Sequence, residues 1–365
     1  MKFTRRHFVR TGAAAAAGIA AARADDNPFA KIDASLKEVE GAIGSAEDSL
    51  AKAEGALNGP VIGHGSHRYR VAEGWGVLDA AKYPVAHCHE MVEDSKGRIV
   101  LFQTNAKNNI LIYDKGGKLL ESWGTEYPGA HGMDIVNENG EEFLFLTDTN
   151  RRQVYKTTMK GKVVMTLGWP EETGKYKDEK GFAPTNVMPA PDGSFYVGDG
   201  YGSSWIMHYD NAGKLKNVFG GPGKNPENVN TPHGGIVDTR DPGNVSLVIC
   251  SRADNALKRF KLDGTYIDTT PLPGMRVCQL AQRGDFLYAP HLEGLISVID
   301  KDFKVVSNPG GKAPEYKDGA LQKLEKEGET FVHPHGIWVD EEESVYVAQW
   351  NSGNTYPVKL ERASA

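Results

Sequence analysis

Residues 130–148 read AHGMDIVNENGEEFLFLTD, residues 231–252 read TPHGGIVDTRDPGNVSLVICSR and residues 333–350 read HPHGIWVDEEESVYVAQW. Each stretch carries a His-Gly pair near its start, at His131, His233 and His335. A short apolar strand follows, then a polar turn, then a second strand. Working outward, AHCHEMVEDSKGRIVLF at 86–102 puts His89 at the same offset from its turn, without the glycine. Two further copies lack the histidine: APTNVMPAPDGSFYVGDG, which opens the third unit at Thr185, and MRVCQLAQRGDFLYAPH, which opens the fifth near Arg276. Intervals of roughly 42 to 59 residues match one four-stranded blade per copy, so residues 60–362 are predicted to form an all-β, six-bladed β-propeller. One edge of every blade lines the channel of such a fold, and histidines repeated at that edge converge on its axis.

The rest of each unit agrees. A third strand (ILIYD, VYKTT, IMHYD, LKRFK, ISVID, PVKLE) runs in several units into a glycine turn such as KGGK, NAGK or LDGT before a last edge strand. The 42 glycines and 19 prolines suit many tight turns, and 365 residues can bury a large core. An unpaired edge would remain if the two chain ends sat in separate blades, so His67–Glu73 is expected to pair beside Tyr356–Glu361 and close blade six.

The N-terminus reads as a targeting segment. Thr4-Arg5-Arg6-His7-Phe8-Val9-Arg10 is similar to the twin-arginine export motif, and an Ala-rich run ends in Ala22-Arg23-Ala24, a cleavage-like site. Residues 1–24 are therefore expected to be a signal peptide and the protein periplasmic or extracellular; the apolar run is too short to span a bilayer. Without the five cations of that segment, 37 basic residues face 48 acidic ones. Such a surface disfavours nucleic acid and anionic lipid. Residues 25–59 are expected to be helical, because Leu36, Val39, Ile43, Ala46, Leu50, Ala53 and Leu57 keep a three-four spacing until Asn58-Gly59-Pro60 stops it. That thin stripe would lie against the propeller or drive self-association through residues 31–57.

Cys88, Cys250 and Cys278 are far apart and form no CxxC, which argues against zinc ribbons, iron–sulfur clusters and c-type haem; one disulfide with a thiol left over is compatible with an oxidising compartment. Three imidazoles with open positions describe a catalytic metal site, zinc first, with iron and manganese open to the same ligands. His131, His233 and His335 are the expected ligands, and His89 is a fourth ligand, an outer partner or a substrate group.

Over about residues 85–350, and most from Phe182 to Phe260, the chain resembles the NHL-repeat propellers, and among them the peptidyl-α-hydroxyglycine α-amidating lyases. The segment FAPTNVMPAPDGSFYVGDGYGSSWIMHYDNAGKLKNVFG, followed by TPHGGIVD and CSRADNALKRF, is similar to that family's third and fourth blades. The resemblance implies a zinc ion held by His131, His233 and His335, Tyr201 as base on the substrate hydroxyl, and Arg252 as a substrate-holding cation. It departs at Thr104, where the family has a second arginine, and at Gly336, where the family has an aspartate that helps hold a structural calcium. His333 stands where the family has methionine, and His89 is an added imidazole. His333 and Arg276 are expected to face a small-molecule or peptide substrate. The function expected is C–N or C–O cleavage at a hydroxylated carbon. A non-catalytic NHL binding module and a four-histidine non-haem iron oxygenase stay open as alternatives.

Overall fold

Strands apolar on both faces must be covered on both sides, and sheets stacked radially do this without helices. A computed structural model describes residues 60–351, 353 and 355–363, together with positions 37, 39, 41 and 43. The chain divides into two units, Met1–Gly59 and Pro60–Ala365. The second is a six-bladed propeller. Five blades are four-stranded antiparallel sheets in chain order, with inner strands Cys88–Glu93, Ala130–Glu138, Asn186–Pro189, Pro232–Asp238 and Ala281–Arg283. The sixth runs Pro334–Val339, Val345–Gln349, Val358–Arg362, His67–Ala72 and Val61–His64. Closure by the N-terminal strand is as the sequence predicts, in the register Tyr69↔Arg362 to Ala72↔Lys359, and Val61–His64 adds one further edge strand.

Six apolar clusters fill the gaps between neighbouring blades. Val248 and Leu257 of blade four, for instance, pack with Leu287, Ala289 and Leu295 of blade five, all fully buried. Each such valine or leucine contributes about 1.5–3 kcal/mol relative to exposure. Turns between strands are held by aspartates: Asp94, Asp210 and Asp300 each accept from the backbone N–H groups two and four residues on.

Two expectations need adjusting. The long last interval is not blade alone: a small hairpin, Tyr316–Lys317 with Ala320–Leu321, and a Gly311–Lys326 bridge lie between blades five and six. No disulfide forms, since Cys88, Cys250 and Cys278 are all free and buried. The N-terminal helix over 31–57 falls outside the described residues except at Lys37, Val39, Gly41 and Ile43, which are helical but too few to test the stripe. The propeller itself, among the described residues, carries three short 3-10 turns and no α-helix. The signal-like segment also lies outside the described residues. Among those described, no helix is long and apolar enough to cross a membrane.

Candidate metal centre

The inner strands of blades two, four and six slip register at their His-Gly pairs, between Ala130 and Met133, Pro232 and Gly235, and Pro334 and Ile337. Such a bulge re-aims a side chain. Here it sends the imidazoles of His131, His233 and His335 to the axis, where their ring centroids lie 4.7–5.0 Å apart. One device fixes all three rings. Nδ1 of His131 donates to the Thr185 carbonyl (2.8 Å), that of His233 to Cys278 (2.8 Å) and that of His335 to His89 (2.9 Å). The glycines allow this approach: a Cβ on Gly132, Gly234 or Gly336 would stand 2.4, 2.2 and 2.3 Å from those same oxygens. With the proton on Nδ1, each Nε2 presents a lone pair, the tautomer a metal ligand needs. Nε2 of His131 is buried without a hydrogen-bond partner, as a ligand position would be. Burial pushes His131 down to about 3, and holds His233 and His335 well below the usual imidazole range, so all three are neutral.

The residues that receive these bonds, His89, Thr185 and Cys278, occupy the matching place in blades one, three and five. Thr185 spends its hydroxyl on the Gly198 and Pro232 carbonyls. His89 and Cys278 instead flank the triad. Ligand atoms of His89, His131 and His335 lie within 4.8 Å of one another, as do those of His233, Cys278 and His335. His89 Nδ1 is 3.4 Å from His335 Nε2. Burial raises the Cys278 thiol to about 12, against the pull of the Arg252 guanidinium. The sequence reading passed over Cys278; its signal was the blade-five slot where other units have histidine.

A second ring was also missed. The residue after each axial position alternates Glu90, Gly132, Asn186, Gly234, Gln279, Gly336 around the channel. Gln279 Nε2 donates to Glu90 (2.7 Å) and Asn186 (3.2 Å), so three side chains from alternate blades bridge the space the glycines leave. Glu90 and Gln279 also accept the backbone N–H groups of Ile337 and Gly235 beside the bulges. Burial holds the Glu90 carboxyl well above its ordinary value. A Cβ on Gly336 would meet Glu90 Oε1 at 2.5 Å, so Glu90 fills the room that an aspartate at 336 would need.

Tyr201 rides a turn fastened by Asp199, which accepts from the backbone of Ala183 and Ser203. The residue is 44% exposed, yet its hydroxyl lies 3.0 Å from His233 Nε2. Arg252, at the start of a 3-10 turn after its strand, donates to that hydroxyl (3.2 Å) and stacks over the ring at 5.1 Å. Burial raises the phenol and Arg252 works against it. Trp350 packs against both His87 and His333, with centroids 5.7 and 6.0 Å away. His333 gives its Nδ1 proton to the Leu292 carbonyl, leaving Nε2 as an acceptor. Arg276 is exposed and paired with Glu293 at 2.6 Å. Thr104 bonds the backbone of His87, so no cation stands there.

Part of this chain is similar to amidating lyases. It is 35% identical over 109 residues to a Caenorhabditis elegans protein named Probable peptidyl-alpha-hydroxyglycine alpha-amidating lyase pgal-1, and 32% identical over 114 residues to Peptidyl-alpha-hydroxyglycine alpha-amidating lyase 1 of Drosophila melanogaster. The matches cover 29% of this chain and only 30% and 20% of those relatives. No family model matches. Among solved structures, a streptogramin B lyase superposes with a TM-score of 0.53 at 15% identity, covering 77% of this chain and 95% of that one. A gluconolactonase of Xanthomonas campestris gives 0.54 at 13%, covering 84% and 98%. These two show the shared fold. The lyase-like stretch spans less than a third of those relatives, and the axial His and Cys groups could hold a metal ion.

Proposed function

We propose that this protein is an exported, metal-dependent lyase that cleaves a C–N or C–O bond at a hydroxylated carbon. The observation that carries the reading is the Tyr201 hydroxyl, held 3.0 Å from the axial nitrogen of His233 with Arg252 bonded to the same oxygen. His131, His233 and His335 would hold a divalent cation, zinc first, through Nε2. When bound, the cation supplies Lewis acidity toward a substrate oxygen. Tyr201, as the phenolate that Arg252 stabilises, takes the proton of the substrate hydroxyl as the new C=O bond forms and the C–N or C–O bond breaks. The phenol so formed returns that proton to the departing nitrogen or oxygen, which restores the phenolate beside Arg252. His333, whose Nε2 is left as an acceptor, and the exposed Arg276 would contact the substrate, a small molecule or a peptide. Export rests on the Arg5-Arg6 segment, and replacing both arginines by lysine is expected to retain the protein inside the cell.

The test starts from a screen of hydroxyglycine peptides and related hydroxyamides on metal-loaded protein. Tyr201→Phe removes only the ionisable hydroxyl and is expected to lower turnover by ~10²-fold or more with metal content and folding unchanged. Turnover at the wild-type rate in that variant would refute the mechanism. Bound iron in an all-nitrogen sphere, with no lyase activity, would favour the four-histidine oxygenase instead.

A further inference from the structure

We propose that Cys278 supplies a sulfur ligand to the metal ion held by His131, His233 and His335, making a centre of three nitrogens and one sulfur. The inference rests on the metal assignment above and adds a ligand to it. Position is the first argument. The His233 imidazole donates to the Cys278 carbonyl just as His131 and His335 donate to Thr185 and His89, so Cys278 is the axial residue of blade five. Its Sγ and the ligand nitrogens of His233 and His335 lie within 4.8 Å of one another, His335 also grouping with His131 on the other side, and all three residues are at most 3% exposed.

Comparison with its counterparts is the second. Cys88 and Cys250 belong to apolar clusters between blades, where a thiol packs as a small hydrophobe. Cys278 belongs to neither cluster, and its sulfur meets polar groups, the Arg276 carbonyl at 3.4 Å and the Arg252 guanidinium. Thr185 has committed its hydroxyl elsewhere. His89 Nδ1 lies 3.4 Å from His335 Nε2, on the side of the triad that holds His131, whereas Cys278 lies on the side that holds His233. His131 supplies the third, independent sign, a buried Nε2 with no partner on the same axis.

The chemistry has consequences. Coordination releases the thiol proton and brings one negative charge to the metal, which softens it. A sulfur ligand favours zinc, cobalt or iron and disfavours manganese and calcium.

Cobalt(II) reports sulfur ligation directly. Metal-free protein titrated with cobalt(II) is expected to show the visible bands of a low-coordinate ion together with a sulfur-to-cobalt charge-transfer band in the near ultraviolet. In Cys278→Ser the charge-transfer band is expected to vanish while one cobalt per chain remains. X-ray absorption at the zinc edge of the wild-type protein needs no variant and is expected to show a sulfur neighbour at about 2.3 Å. One bound metal with only nitrogen and oxygen neighbours, or a charge-transfer band that survives in Cys278→Ser, would overturn the sulfur ligand and leave the histidine triad standing. Absence of any stoichiometric metal would overturn both.

Discussion

His233 carries two duties with two nitrogens. Nδ1 holds the Cys278 carbonyl, which fixes the ring, and Nε2 faces the axis beside Tyr201. Replacing it by alanine removes a ligand without opening an interblade cluster, since His233 belongs to none of the six. His233→Ala is therefore expected to lose most bound metal while its melting temperature falls less than in Leu257→Ala; full metal retention would exclude His233 as a ligand. The glycine of the pair is equally constrained. At Gly336 a methyl would stand 2.3 Å from the His89 carbonyl and 2.6 Å from the Glu90 Cα, neither of which can swing aside. Gly336→Ala is expected to cost about 1–3 kcal/mol or more and to weaken metal binding, with denaturant melts and metal analysis on the same sample as the check.

Among the elements, the strand His67–Ala72 matters most, because it joins the two ends of the chain in one blade. Tyr69 is fully buried there, and its hydroxyl donates to Tyr288 (3.3 Å) and accepts from Arg362 (3.0 Å). Tyr69→Ala is expected to destabilise the whole propeller by about 3–5 kcal/mol, seen as a single earlier unfolding transition. A normal melting curve would show that closure is dispensable. His67 on the same strand adds a pH dependence. Burial, helped by the Arg362 cation, lowers it to about 4 from an ordinary 6.5. The unfolded chain then binds the proton first as pH falls, so this contribution is complete above about pH 6.5 and lost on descending through about pH 4. His67→Phe, which keeps a ring against Phe286, is expected to flatten the fall in melting temperature over that window; an unchanged slope would remove His67 from the account.

At the scale of the molecule, pseudo-threefold order governs the channel. Blades two, four and six bring His-Gly, while blades one, three and five bring a carbonyl acceptor followed by Glu90, Asn186 or Gln279. A metal on the axis ties three blades together, so apoprotein is expected to melt below the loaded form by a margin that grows with free metal concentration. Calorimetry of chelator-treated and reloaded protein checks this, and identical transitions would place the ion away from the triad.

The six copies, the three His-Gly pairs and the closing role of residues 67–73 were legible in the sequence, because strand alternation and turn chemistry are local and repeat with a fixed period. Tyr201 and Arg252 were found by resemblance, since a single turn tyrosine carries no signal of its own. The tertiary structure decided what depends on packing across blades. It set which carbonyl receives each imidazole proton, brought Cys278 beside His233 and His335, and joined Glu90, Gln279 and Asn186 below them. Residues 189 positions apart meet there only after the ring closes, and no local pattern encodes that distance.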